Sequence, residues 1–171
     1  DISELTDLTI ARDVCSILKR IETMRKITDK ISRYVLELGT EGSIIKMRLK
    51  ELTLNIEETE KDIIRDYSSA NLTKIRNHLS LLSFDELLDL QNISVVIFSL
   101  APDEKITPRG YRFLRKTSLS EEQIKKFVKE FKNLNVVLNA DEELFKKVLP
   151  DEESIKKFIS EREKIKEQIL L

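Results

Sequence analysis

A chain of 171 residues is one domain or two small ones, and with 40% hydrophobic and 36% charged residues it affords a core beneath a densely charged surface. Three glycines, three prolines and no tryptophan argue against turn-rich β architecture, and the prevalence of Leu, Ile, Lys and Glu is helical. The single cysteine, Cys15, excludes an internal disulfide and fits a reducing, cytoplasmic setting. No apolar run approaches the roughly 18 residues of a membrane span, and no signal peptide is visible.

The first element is announced by a heptad-like stripe: Ile10, Val14, Ile17, Ile21, Met24, Ile31, Val35 and Leu38. It predicts one apolar face on a helix of about eight turns. The stretch 37-ELGTEG-42 stops that helix, with Gly39 suited to a left-handed C-cap and Thr40 to capping the next element. A second stripe, Ile45, Leu49, Leu52, Ile56, Ile63 and Tyr67, predicts a helix running to about Asp66. Two long helices joined by so short a turn must fold back as an antiparallel hairpin. The long stripe is expected to be buried mainly within this chain, with self-association as a lesser contribution.

Segment 68-SSAN-71 breaks the pattern, and Ser69 or Asn71 caps a third helix bearing Leu72, Ile75, Leu79 and Leu82. Ser83 with Glu86 three residues on forms a capping-box pattern. The apolar run 93-ISVVIFSLA-101 fits strand or helix by composition, and its helical neighbours favour helix. Pro102 ends it, and 102-PDEKITPRG-110 reads as a loop. That loop divides the chain into a helical spine at 1–104 and a small C-terminal domain at 105–171. In the latter, Ser120 and Gln123 cap a helix with Ile124, Phe127, Val128 and Phe131. Shorter helical pieces follow at 133–140 and 141–149, and a last one at 151–171 carries Ile155, Phe158, Ile159, Ile165 and Ile169.

Charge is unevenly spread. Residues 1–104 sum to −5 and residues 141–171 to −2, whereas 105–132 carry nine Lys/Arg against three Glu, a sum of +6. The window contains 107-TPRGYRFLRK-116, in which four basic residues surround Tyr111 and Phe113. This decapeptide reads either as an arm whose arginines reach phosphate oxygens, or as a linker docked by its two aromatics with the arginines solvated.

The motifs ELGTEG and 107-TPRGYRFL-114, together with the acidic stretch 57-EETEKDIIRDY-67 and the segment 85-DELLDL-90, occur here in an order that resembles the central and C-terminal parts of the DisA family of DNA integrity scanning proteins. The resemblance covers nearly the whole chain. It implies an all-α fold: a long antiparallel helical hairpin with extra helices, then a small tandem helix-hairpin-helix bundle. In that family an N-terminal catalytic domain condenses two ATP into cyclic di-AMP, and the C-terminal module binds branched DNA. The family's Asp-Gly-Ala and Arg-His-Arg catalytic segments have no counterpart here. The resemblance therefore implies a non-catalytic piece: linker plus DNA-sensing end, partnered in the parent chain by the catalytic domain. The start at Asp1 without Met leaves open that the remainder holds the chemistry.

A helix-hairpin-helix grips DNA through a Gly-hydrophobic-Gly turn whose N–H groups meet phosphate. The matching stretch, Val148, Leu149, Pro150, Asp151 and Glu152, lacks both glycines, loses one N–H at Pro150 and is acidic. The DNA contact is thus expected in the first half of the module, weak and without sequence preference, through Arg109, Arg112, Arg115, Lys116, Lys125, Lys126 and Lys129. The alternative is a helical structural or protein-interaction module whose DNA grip has been lost.

No catalytic residue, cofactor or metal site is expected. His78 has no Cys or His partner at ligand spacing and is assigned to the surface. Cys15 is read as a small core residue with no neighbouring base. Glu57, Glu58, Glu60 and Asp62 are read as a solvated helix face balanced by Lys61 and Arg65 rather than as a metal site. Three scattered glycines build no phosphate loop.

Overall fold

The computed structural model describes residues 10–170 except Leu36 and Leu38, with the side chains of Glu41, Asn55, Ile169 and Leu170 also outside the description. The described residues are all helix and connecting segments, without a strand. The elements are α1 (Ala11–Val35), α2 (Gly39–Tyr67), α3 (Leu72–Leu81), α4 (Phe84–Leu88), α5 (Leu90–Phe98), α6 (Tyr111–Leu114), α7 (Glu121–Phe131), α8 (Leu134–Asn139), α9 (Glu142–Phe145) and α10 (Glu152–Leu170). They fall into two compact units. One holds residues 10–64 and 68–104; the other holds 105–170 together with Arg65–Tyr67, the last turn of α2.

In the first unit, α1 and α2 form the antiparallel hairpin, cross-linked where Arg25 bridges Glu22 and Glu60. Helix α5 packs along α1 and α3, and the short α4 completes the layer. The buried face of α1 keeps only part of the heptad stripe, with Val14, Ile21 and Val35 covered and Ile17 half-buried. Ala11, Val14, Cys15, Leu18, Ile21 and Glu22 are covered, whereas Ile10, Met24 and Ile31 stay exposed. Leu38 lies outside the described residues. The 3–4 spacing of the buried set is that of a globular helix packing against α5 rather than of a coiled-coil seam.

The acidic run is also placed differently from its reading as a solvated face. Glu60 is 1% exposed and accepts charge-assisted bonds from Arg25 and Arg76, and Asp62 is buried as well. Glu57 and Glu58 remain at the surface. Lys61 pairs with Glu58, while Arg65 turns to Glu121. The low dielectric around Glu60 makes two guanidinium partners necessary, since an unpaired buried carboxylate costs several kcal/mol, on the order of 3–5.

Local capping follows the side-chain chemistry. The Asn71 side chain accepts from Lys74 N–H at the start of α3, and Ser83–Glu86 and Ser120–Gln123 both close reciprocal capping boxes. The run after Asn92 is helical as α5. His78 is exposed and Cys15 is fully buried.

The second unit is built on an aromatic cluster. Phe127 stands 4.8 Å from Phe158, and Phe145 5.0 Å from Phe158, with Phe131 and Phe113 in the same core. Tilted and edge-on rings of this kind add roughly 0.5–1.5 kcal/mol per pair beyond their area. This cluster fixes α7, α9 and α10, and so positions the lysines on the outer face of α7.

Candidate nucleic-acid interface

The unusual decapeptide is where the C-terminal unit closes on the last turn of α2. Gly110 has φ +111°, a conformation costly for a side-chain-bearing residue. The turn it makes lines up three successive N–H groups on one carboxylate. Gly110 and Tyr111 donate to Asp66 Oδ1, and Arg112 donates to Oδ2 through both its N–H, 3.3 Å, and its Nε, 2.8 Å. Arg112 Nη2 continues to the Tyr67 hydroxyl at 2.8 Å. The Arg109 guanidinium donates to the Arg65 carbonyl, and Arg109 N–H to the Asp66 carbonyl at 2.9 Å. These are the helix-terminal carbonyls that otherwise lack partners. Tyr111 completes the joint, with Arg65 and Arg109 5.7 and 5.6 Å from its ring centre. Burial pushes the Asp66 carboxyl above the usual carboxylate range, and the Arg112 guanidinium and the N–H groups pull against it.

This arrangement decides between the two readings of the decapeptide in part. Phe113 enters the core and Tyr111 packs against it, so the aromatics do dock. The arginines are not left to solvent: Arg109 and Arg112 are engaged with the end of α2, and Arg115 donates to Glu121 at 2.9 Å.

The lysines lie elsewhere. Lys116, Lys125, Lys126 and Lys129 are exposed. Lys126 and Lys129 line an open cleft of about 590 Å³ together with Lys132, Lys147, Glu130 and Val148. Two of these lysines, Lys132 and Lys147, were not singled out by sequence. Lys132 ends α7 in the left-handed conformation, φ 59°, a place usually held by glycine. Lys147 comes from beyond α9 and stands 3.6 Å from Glu130. The structure thus gathers Lys126 and Lys129 with two lysines from later in the chain, and separates them from Arg109 and Arg112.

The two hairpin positions, 116-KTSLS-120 and 148-VLPDE-152, have acidic occupants. At the first, Glu161 of α10 accepts from Ser118 N–H at 2.8 Å and from its hydroxyl at 3.1 Å. At the second, Leu149 is core and Val148 packs against the core, while Pro150, Asp151 and Glu152 are exposed. Asp151 accepts from Ser154 N–H at 2.7 Å, a bond that lowers its pKa and caps α10. Among the described residues, no group of His, Cys, Asp and Glu has the arrangement of a metal site, and no helix is long and apolar enough to cross a membrane.

A family model described as the DisA bacterial checkpoint controller linker region matches residues 1–101. Curated relatives called DNA integrity scanning protein DisA match across nearly the whole chain. The protein from Fusobacterium nucleatum is 34% identical over 154 residues, covering 86% of this chain and 44% of the relative. That from Acetivibrio thermocellus is 38% identical over 151 residues, covering 84% and 42%. That from Clostridium acetobutylicum is 36% identical over 154 residues, covering 86% and 43%. The chain therefore spans less than half the length of these relatives.

Proposed function

From the premise that this chain belongs to the DisA linker family, we propose that it is the linker and DNA-sensing region of a DisA-like diadenylate cyclase, touching branched or duplex DNA through backbone phosphates alone. The observation that carries this reading is the cleft of Lys126, Lys129, Lys132 and Lys147. Four ammonium groups around one open depression release counterions on meeting a phosphate strand, whatever its sequence. Lys125 and Lys116 extend the positive surface. Arg109 and Arg112 act indirectly, by holding the start of the module against Asp66. The chain needs no cofactor for this role. The ATP chemistry belongs to the parent's catalytic domain, in the cytoplasm.

A second reading has its own support. Glu161 occupies the Ser118 N–H, and Asp151 occupies the Ser154 N–H. Both are backbone donors of the kind a helix-hairpin-helix offers to phosphate. A module so filled is a packing or protein-interaction unit that has lost its DNA grip.

Anisotropy of a labelled four-way junction and a matched duplex separates the two. The first reading expects binding that weakens steeply with salt and falls when Lys126 and Lys129 are changed to Ala. Absence of binding at low salt would leave the second reading.

A further inference from the structure

Within the first unit, a cleft between α3 and the α1–α2 hairpin is lined by polar side chains. Thr73, Arg76, Asn77 and Ser80 share one face of α3, because residues three and four apart are helix neighbours. The face of α3 that packs is a different one, with Ile75 and Leu79 buried. The polar face fronts an open space of about 340 Å³, lined also by Arg25 and Glu57 of the hairpin. Buried carboxylates hold both arginines. Glu60, 1% exposed, accepts from Arg25 Nη2 and, at 2.8 Å, from Arg76 Nε, and Glu22, equally buried, accepts from Arg25 Nη1. Lys26 donates to the Ser80 carbonyl at 2.7 Å and ties α1 to the last turn of α3. This leaves Arg76 Nη1 and Arg25 Nε without a partner among the described residues, on side chains 30% and 25% exposed. The Thr73 hydroxyl, the Asn77 carboxamide and the exposed Glu57 carboxylate are likewise unengaged among them.

We propose that this cleft is a binding site for a small phosphate monoester that carries hydroxyl groups, a sugar phosphate or a nucleotide. The terminal oxygens of such a phosphate suit the unused N–H groups of two guanidiniums and the Thr73 hydroxyl. Arg25, Lys26 and Arg76 outnumber the buried carboxylates Glu22 and Glu60 that they contact, so this network keeps a positive surplus. Glu22 and Glu60 also fix the guanidiniums before a ligand arrives, which removes part of the ordering cost of binding. Glu57 and Asn77 require the complementary chemistry. A carboxylate accepts and a carboxamide both donates and accepts, and hydroxyls on the same ligand serve both. A bare inorganic anion leaves Glu57 unmatched. The space is of the size of a small-molecule site, roughly 300–1,000 Å³. It is separate from the lysine cleft, which belongs to the other unit.

Ribose 5-phosphate titrated into the nitrogen-15-labelled intact chain, followed by amide correlation spectra, tests the proposal. The Asn77 side-chain amide and the backbone amides of residues 73–80 should shift saturably, and ribose without phosphate should leave them unmoved. Thr73→Val and Asn77→Ala, both at exposed positions, should each raise the dissociation constant about fivefold, as for the loss of one hydrogen bond. Neither variant disturbs the partners of the buried Glu60, as a change at Arg76 does, and the same spectra report whether α3 stays folded. A parallel titration with adenosine monophosphate distinguishes the two sources: tighter binding than ribose 5-phosphate marks a nucleotide site, equal or weaker binding a sugar-phosphate site. Absence of a saturable shift at millimolar ribose 5-phosphate, or shifts confined to residues 126–132, overturn the proposal. So do equal shifts with ribose alone, or an affinity indifferent to both variants.

Discussion

Asp66 and Arg112 form a buried joint: Oδ2 of the carboxylate takes the Arg112 N–H and Nε, while Oδ1 takes the N–H groups of Gly110 and Tyr111. Both side chains are out of water, Asp66 at 1% and Arg112 at 11%. Removing one charge of such a pair strands the other, a cost of about 3–5 kcal/mol. Asp66→Asn should therefore lower chain stability by that order in urea unfolding. Arg112→Met in the same background should recover part of it, because the stranded cation is gone. Additive losses from the two changes would show that the pair is not coupled.

Local chemistry was legible where a short pattern is sufficient. Ser83 with Glu86 and Ser120 with Gln123 became capping boxes because both partners of the bond lie within one turn. The break at Asn71 and the hairpin turn were legible for the same reason. What was hidden depends on partners far along the chain. Of the heptad stripe, Val14, Ile21 and Val35 are buried, but Ile10, Met24 and Ile31 are exposed, because the helix that packs on α1 comes from far along the chain and the covered face takes in Ala11, Cys15 and Leu18 instead. Nothing within α2 announces that Glu60 is buried, because its partners Arg25 and Arg76 come from α1 and α3. The arginines of 107-TPRGYRFLRK-116 looked like phosphate ligands, since a basic cluster does not disclose a buried acceptor 46 residues away. The lysine cleft needed the aromatic core to bring Lys147 beside α7.

Lys132 combines a backbone burden with a place in the cleft. Its φ of 59° is the left-handed region, and a side chain there costs on the order of 1 kcal/mol relative to glycine. Lys132→Gly should raise stability by about 0.5–1 kcal/mol. It should also weaken DNA binding several-fold and reduce the salt slope by about one ion. Thermal melting and anisotropy on the same sample check the two effects. A variant that gains stability and keeps full affinity would remove Lys132 from the interface.

Cys15 is fully buried, and burial drives its thiol up to about 11, with a hydrogen bond to Ser94 acting the other way. The nucleophile in alkylation is the thiolate, of which roughly 0.1% is present at pH 8 for such a pKa. Native chain at pH 8 should resist iodoacetamide, and label fully in denaturant. Labelling of the native chain at the rate of a free thiol would contradict the packed position.

Gly42 sits where a Cβ would come within 2.2 Å of the Val35 carbonyl oxygen and 3.0 Å of its Cγ1. The obstruction is backbone, so the hairpin bend itself must open. Gly42→Ala should cost about 1–3 kcal/mol, the range for overpacking a closed site. Gly39 differs: a Cβ there meets nothing within 4 Å, although its φ of +58° carries the ordinary left-handed penalty. Gly39→Ala should therefore be the milder change, by about 1 kcal/mol or less in stability lost. Reversal of that order in chemical denaturation would mean that the bend tolerates the closer contact.

Glu161 decides which proposed role the first hairpin position serves. Its carboxylate already takes the Ser118 N–H and hydroxyl, two donors that would otherwise face an incoming phosphate. It also places a negative charge on the turn that follows α6. Glu161→Gln keeps a side-chain oxygen to accept from Ser118 and removes the charge alone. If DNA approaches this side of the module, the change should strengthen binding several-fold at low salt, with the gain shrinking as salt screens it. Fold stability should shift little, since the contact is exposed. Unchanged affinity, with Lys126→Ala still harmful, would confine DNA to the lysine cleft and leave Ser118 with a purely local role.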